Sequence, residues 1–285
     1  MGRVTTTRLV TRVTVGETPR REPDTLAGEE PLELRVGGES LAVTMRTPGA
    51  DFDLAAGFLV SEGVITRRED LVAIRYCAGK DEDGVNSFNV LDATLAAGVA
   101  APDQSVARAF FTTSSCGLCG KASIDAVKTR SAFTVAGDPL RVTPEMVVSL
   151  PGRLRTAQKV FESTGGLHAA ALFDATTGEL LVLREDVGRH NAVDKVVGWA
   201  LQEGRVPLRG TILQVSGRAS FELVQKALMA GIPMLCAVSA PSSLAVDLAE
   251  ESGMTLVGFL RDPTFVVYAG VDRLVAADQM ARSAW

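Results

Sequence analysis

Two cysteines three residues apart, Cys116 and Cys119, stand in the glycine-rich segment TTSSCGLCGKASID and offer the clearest chemistry in the chain. The segment runs on into ASIDAVK, whose spacing predicts a short helix with Ile124 and Val127 inward. A thiol at a helix start beside Lys121 is expected to ionise easily, because the helix end and the ammonium both favour thiolate. Thiolate is the species that attacks a disulfide or persulfide sulfur. Gly117 and Gly120 let the backbone turn and leave the sulfurs open to a partner.

Zinc would need two further ligands, usually a second close pair. The other candidates, Cys77, Cys236, His168 and His190, are single and far apart. Two merely packing cysteines fit poorly with flanking glycines. A thioredoxin-like dithiol and a persulfide carrier both remain open on the residues alone. Cys236, in the apolar run PMLCAVS, reads as a packing thiol.

The elements that must position this loop follow from pattern. PLELRVGGESLAVTM alternates around Gly37-Gly38, a hairpin signature. Residues 53–65 have helical spacing, and strand-like pieces follow at LVAIRYCA and VNSFNVLDA. The expected division is a flexible arm or edge strand over 1–24, a smaller β-rich α+β N-terminal domain over 25–115, the cysteine loop and short helix over 116–130, and an α/β domain over 131–285. In the last, Thr143 and Pro144 start a helix to about Ser163. Strands LHAAALFD and ELLVLRED form a hairpin, and three further apolar strands alternate with helices. That order predicts a mixed sheet in a three-layer α/β/α sandwich.

Ligands of such sheets gather at carboxyl strand ends. The loops there offer Arg189, His190 and Asn191; Ser216, Gly217 and Arg218; Ser239, Ala240, Pro241 and Ser242; and Phe259, Leu260, Arg261, Asp262, Pro263 and Thr264. Glycine, hydroxyl and guanidinium at a strand end suit phosphate oxygens, with helix capping by Ser242 and an Arg261–Asp262 ion pair as the plain alternatives. Asp194 and Lys195 are grouped with His190 as polar residues the apolar helix face does not need. His168 is read either as a ligand contact or as a structural histidine.

Net charge is −5 over 285 residues, with 46% hydrophobic and 22% charged, so there is no global field to gather nucleic acid or anionic membrane. Four cysteines are too few for a disulfide scaffold. The polar N-terminus lacks a signal-peptide core, and a cytoplasmic protein with reduced thiols is expected.

FTTSSCGLCGKAS, STGGLHAAALFD, REDVGRHNAVDKVVG, VSGRASFELVQKALMAGIP and AVSAPSSLAVDLAEESGMTLVGFLR together resemble the FdhD family of formate dehydrogenase accessory sulfur carriers. The resemblance implies a cytidine-deaminase-like fold and a homodimer. It also implies that Cys116 and Cys119 accept sulfur from a cysteine desulfurase. They would pass it to a molybdenum (or tungsten) bis-molybdopterin guanine dinucleotide destined for the formate dehydrogenase catalytic subunit. That cofactor would be bound as client, with guanosine diphosphate as a mimic, FLRDPT in contact with it, and no permanent metal. Deaminase chemistry itself is not expected, because the position two after His168 is Ala170 rather than glutamate. A non-catalytic cofactor chaperone and a dithiol oxidoreductase are the rival readings.

Overall fold

The computed structural model of the chain describes residues 2–77, 88–101 and 131–276. Cys116, Cys119 and Lys121 lie outside the described residues. Of the N-terminal segment, β1 (Thr5–Arg12) and β2 (Arg20–Ala27) pair as an antiparallel ribbon. That ribbon continues past residue 24, where the sequence offered a boundary. Its threonines and charges show no core face, so pattern alone did not define it.

The Gly37-Gly38 hairpin forms between β3 (Glu30–Val36) and β4 (Glu39–Arg46). Both turn glycines have positive φ, 60° and 89°, as a two-residue turn matched to strand twist requires. With β5 (Leu71–Tyr76) and β6 (Val90–Leu95) they make a four-stranded sheet of order β4-β3-β6-β5. Leu32, Leu34 and Leu91 pack from this sheet onto Leu54 and Ala55 of α1 (Asp51–Ser61).

The second sheet has six strands: β7 (His168–Asp174), β8 (Leu180–Asp186), β9 (Thr211–Val215), β10 (Met234–Ala237), β11 (Thr255–Arg261) and β12 (Thr264–Ala269). Their order is β12-β11-β10-β9-β7-β8. β9, β10 and β11 are parallel; β7 is antiparallel to both its neighbours, and β12 to β11. Alternate side chains enter different layers. Ala169, Ala171 and Phe173 meet Val147, Leu150 and Leu154 of α2 (Pro144–Ala157). Ala170 and Leu172 share the other layer with Val193, Val196 and Val197 of α4 (Arg189–Gln202). α5 (Phe221–Met229) and α6 (Ser243–Ser252) complete that side. Because both faces are buried, the strands read as apolar runs, and the expected three-layer mixed α/β architecture is what forms.

Two local expectations change. Thr143 caps α2 as expected, its Oγ1 accepting from Met146 N–H at 3.3 Å, but the helix does not reach Ser163. It stops at Ala157, buried Gln158 leaves helical geometry (φ −78°, ψ 82°), and α3 (Lys159–Thr164) begins afresh. The Glu185 carboxylate accepts the Val160 and Phe161 N–H groups at 3.0 and 2.7 Å, a tertiary cap invisible to local spacing. Second, FLRDPT is not a long loop. Phe259, Leu260 and Arg261 finish β11, Asp262 and Pro263 turn, and Thr264 opens β12.

The four-stranded unit is fixed to the rest where α1 crosses α4. A Cβ placed on Gly57 would lie 1.8 Å from the Asp194 carbonyl oxygen, and one on Gly198 1.8 Å from that of Asp53. Only glycine permits so close a backbone approach. α4 is therefore covered on two sides, and Asp194 and Lys195 lie inside the protein.

Candidate functional site

β7 runs against both neighbours, so the carboxyl ends of β8, β9, β10 and β11 and the start of β7 share one edge. The loops on that edge are laced together. Ser239 N–H donates to Gly217 O at 3.4 Å, Ser242 N–H to Ala219 O at 3.0 Å, and Phe259 N–H to Ser239 O at 3.2 Å. A Cβ on Gly217 would sit 3.5 Å from His168 Nδ1, so this loop also lies against the first residue of β7. The structure thus brings the four sequence-derived segments to one rim.

Their side chains divide by role. Ser216 Oγ accepts from Ala169 N–H at 2.9 Å and joins β9 to β7. Ser242 Oγ accepts from Ala245 N–H at 3.3 Å and caps α6, the plainer of its two readings. Leu260 is fully buried in the α2 layer, so its side chain cannot touch a ligand. Ser239, Ala240 and Pro241 are half-buried, while Arg218, Arg261, Asp262, Pro263 and Thr264 are exposed. Phe259 takes a left-handed backbone (φ 49°) at a register shift and presents its ring 38% exposed. Gly258 beside it packs against Pro241 and the Ser239 carbonyl, where a Cβ would not fit.

The start of α4 holds two kinds of polar group. Asp186, fully buried, receives Lys195 Nζ at 2.7 Å, Thr47 N–H at 3.1 Å, Gly188 N–H at 2.8 Å and Asn191 Nδ2 at 3.1 Å. Lys195 also donates to Thr47 O at 2.8 Å, and Asn191 Nδ2 to Met45 O at 2.8 Å, while Asn191 Oδ1 accepts from Thr44 Oγ1 at 3.3 Å. Asn191 is therefore a clamp between β4 and α4, with its amide used within the protein. One turn on, Asp194 accepts from Lys226 Nζ at 2.8 Å and from Ser61 Oγ at 2.6 Å. Burial raises the Asp194 pKa, opposed by Lys226. Asp186, Thr47, Ser61 and Lys226 were not found by sequence reasoning; the one hint was a lysine within the apolar helix FELVQKALM.

The other kind is unpaired. Arg189 Nε, His190 Nε2 and Ser220 Oγ are shielded from solvent and bonded to nothing. His190 Nε2 lies 3.9 Å from Glu222 Oε2, beyond hydrogen-bond reach. Burial, then Lys226, Arg189 and His168, push the His190 pKa down to about 3. His168 is lowered as well, by burial and then Arg189, with Asp186 opposing. Both imidazoles are uncharged at neutral pH. Uncharged donors, a guanidinium and two helix starts on one rim are suited to hold oxygen-rich groups.

A family model described as the FdhD/NarQ family matches residues 27–275. The chain belongs to the FdhD/NarQ family. Relatives of this family named Sulfur carrier protein FdhD include that of Mycolicibacterium paratuberculosis, 63% identical over 95% of this chain and 99% of its own length. That of Streptomyces coelicolor is 62% identical over 96% and 97%, and that of Mycobacterium tuberculosis 56% identical over 96% and 100%. A crystal structure of a protein from Desulfotalea psychrophila, assigned as a formate dehydrogenase accessory protein, superposes with a TM-score of 0.76 over 96% of this chain and 100% of that one. At 22% identity that likeness speaks for the fold alone. At the level the FdhD names carry, the expected role of sulfur carrier stands. Of the cysteines among the described residues, Cys236 is fully buried and its thiol is pushed up by burial, so it packs rather than reacts. Among the described residues no helix is long and apolar enough to cross a membrane.

Proposed function

We propose that this FdhD/NarQ chain works in the cytoplasm as a persulfide-type sulfurtransferase between a cysteine desulfurase and a guanine-nucleotide-tagged molybdopterin cofactor, molybdenum or tungsten, that serves formate dehydrogenase. A thiolate of Cys116 or Cys119 attacks the outer sulfur of the desulfurase persulfide. The desulfurase S–S bond breaks, its cysteine leaves as thiolate, and a persulfide forms on the carrier without net oxidation. The client cofactor is the second substrate. The strand-end rim holds its guanine nucleotide part, and two copies of the chain associate.

One observation supports this reading above the rest. Four loops separate in sequence meet on a single rim of the six-stranded sheet, where Phe259 offers a ring face and Arg189, Arg218 and Arg261 supply positive charge around uncharged histidines. Such a rim suits a planar base with attached phosphates.

Mass spectrometry after incubation with a desulfurase and cysteine tests the sulfur step. A gain of one sulfur on the peptide holding Cys116 and Cys119 is expected. Equal sulfur uptake by Cys116→Ala, Cys119→Ala and the parent chain would refute it. A reversible Cys116–Cys119 disulfide turned over by thioredoxin-type reductants would instead favour the oxidoreductase reading.

A further inference from the structure

We infer that the β1–β2 ribbon is an intersubunit arm, whose face bearing Thr7, Leu9, Thr11 and Pro23 packs against the body of a second copy of the chain. That two copies associate rests on the proposed function; the surface that joins them rests on the ribbon itself.

Strand pairing sorts the ribbon's side chains onto two faces, since directly opposed residues point the same way. On one face Thr7 is opposite Thr25, Leu9 opposite Pro23 and Thr11 opposite Arg21, a single charge among six residues. On the other, Arg8 is opposite Asp24, Val10 opposite Glu22 and Arg12 opposite Arg20, and Arg12 forms an ion pair with Glu22. The charged face therefore satisfies part of its own charge and suits water. The uncharged face rests on the protein only at its base, where a Cβ on Gly166 would meet that of Ala27 at 3.8 Å. Further out, Thr7, Leu9, Thr11, Arg21 and Pro23 are all exposed.

That exposure is concentrated. Leu9 is 59% exposed, and Val13 and Val15, in the connection to β2, are 67% and 100% exposed. Five of the twelve large apolar side chains exposed among the described residues, Val4, Leu9, Val13, Val15 and Leu26, belong to this one projecting element. Apolar exposure gathered in one place marks an interaction surface. A two-stranded ribbon is also marginally stable in water unless a further surface covers it. With eight residues in each strand it spans ~27 Å, long enough to reach past its own subunit.

Charge selects the occupant. Residues 1–27 hold five arginines against three carboxylates, a net +2, so the rest of the chain carries −7 of the total −5. The acidic remainder includes α6, whose ten residues hold three carboxylates and no lysine or arginine. A basic arm with an apolar face is complementary to the acidic body of another copy of this chain.

Sedimentation velocity of the full chain over a range of concentrations tests the assignment. The parent should be a dimer that weakens as salt is raised to about 0.5 M. Leu9→Ser with Val13→Ser should raise the dimer dissociation constant about tenfold or more, and Arg21→Glu, on the same face, should raise it too. Leu26→Ser, on the charged face, should leave it unchanged. All of these side chains are exposed, so unchanged far-ultraviolet circular dichroism certifies the fold of each variant. A parent that stays monomeric overturns both the arm and the association of two copies. A parent dimer that is equally tight in the Leu9/Val13 and Arg21 variants overturns the arm alone, and association then runs through another surface. Equal weakening by Leu26→Ser overturns the assignment to the uncharged face.

Discussion

Within two turns of α4, polar residues meet opposite fates. Asn191, Asp194 and Lys195 are buried with their groups bonded, to Met45, Thr44 and Thr47 at the end of β4, to Ser61 of α1 and to Lys226 of α5. Arg189 and His190, two and one residues before Asn191, keep buried nitrogens that bond nothing. The first group fastens the four-stranded unit to the six-stranded one. The second lies at the strand-end rim, where Ser220 follows β9. Polar residues on a helix thus say little by type; whether their hydrogen bonds are already made separates a clamp from a site.

The largest effect should come from breaking the clamp. Lys195→Met leaves Asp186 buried with its countercharge gone, and a loss of about 3–5 kcal/mol is expected in urea unfolding. A loss below about 1 kcal/mol would mean that the pair does not hold the two sheets together. Gly198→Ala should rank next, at about 1–3 kcal/mol, because the added methyl meets the Asp53 carbonyl and must push α1 away.

The open group predicts a pH signature instead. His190 titrates at about 3 in the folded protein and near 6.5 when unfolded. The unfolded chain therefore binds the extra proton, and stability falls as pH drops from about 6.5 towards 3, by at most about 1.4 kcal/mol per unit, with no penalty above that window. His190→Gln should flatten part of this slope, and His168, shifted the same way, should keep some of it. An identical slope in the variant would show that His190 is not held uncharged. The smallest effect is expected for Ser220→Ala, within about 0.5 kcal/mol by thermal melting, since a hydroxyl without a partner contributes no bond. A loss of 1 kcal/mol or more would place Ser220 with the clamp.

Much of the scaffold was legible in the sequence. Period-two alternation around Gly37-Gly38 specified the hairpin, Thr143-Pro144 specified a helix start, and apolar runs between helical segments specified a sheet covered on both faces. The loops that meet on the rim were also legible, because strand ends carry glycine, hydroxyl and guanidinium groups. The break at Gln158 was not, since Glu185 supplies its cap from a different strand. Nor was β12, which has only a short Asp262-Pro263 turn before it.

By itself the sequence determined the order of elements, the family and the cysteine pair proposed to carry sulfur, all of which depend on residue type and local spacing. Only the tertiary structure decided that Asn191, Lys195 and Ser242 are structural, that Leu260 faces the core and that Arg189, His190 and Ser220 are left unpaired. The physical reason is that helical periodicity describes one buried face, whereas α4 acquires a second where Gly57 and Gly198 let α1 cross it. A hydrogen bond to a distant carbonyl or carboxylate leaves no trace in local spacing.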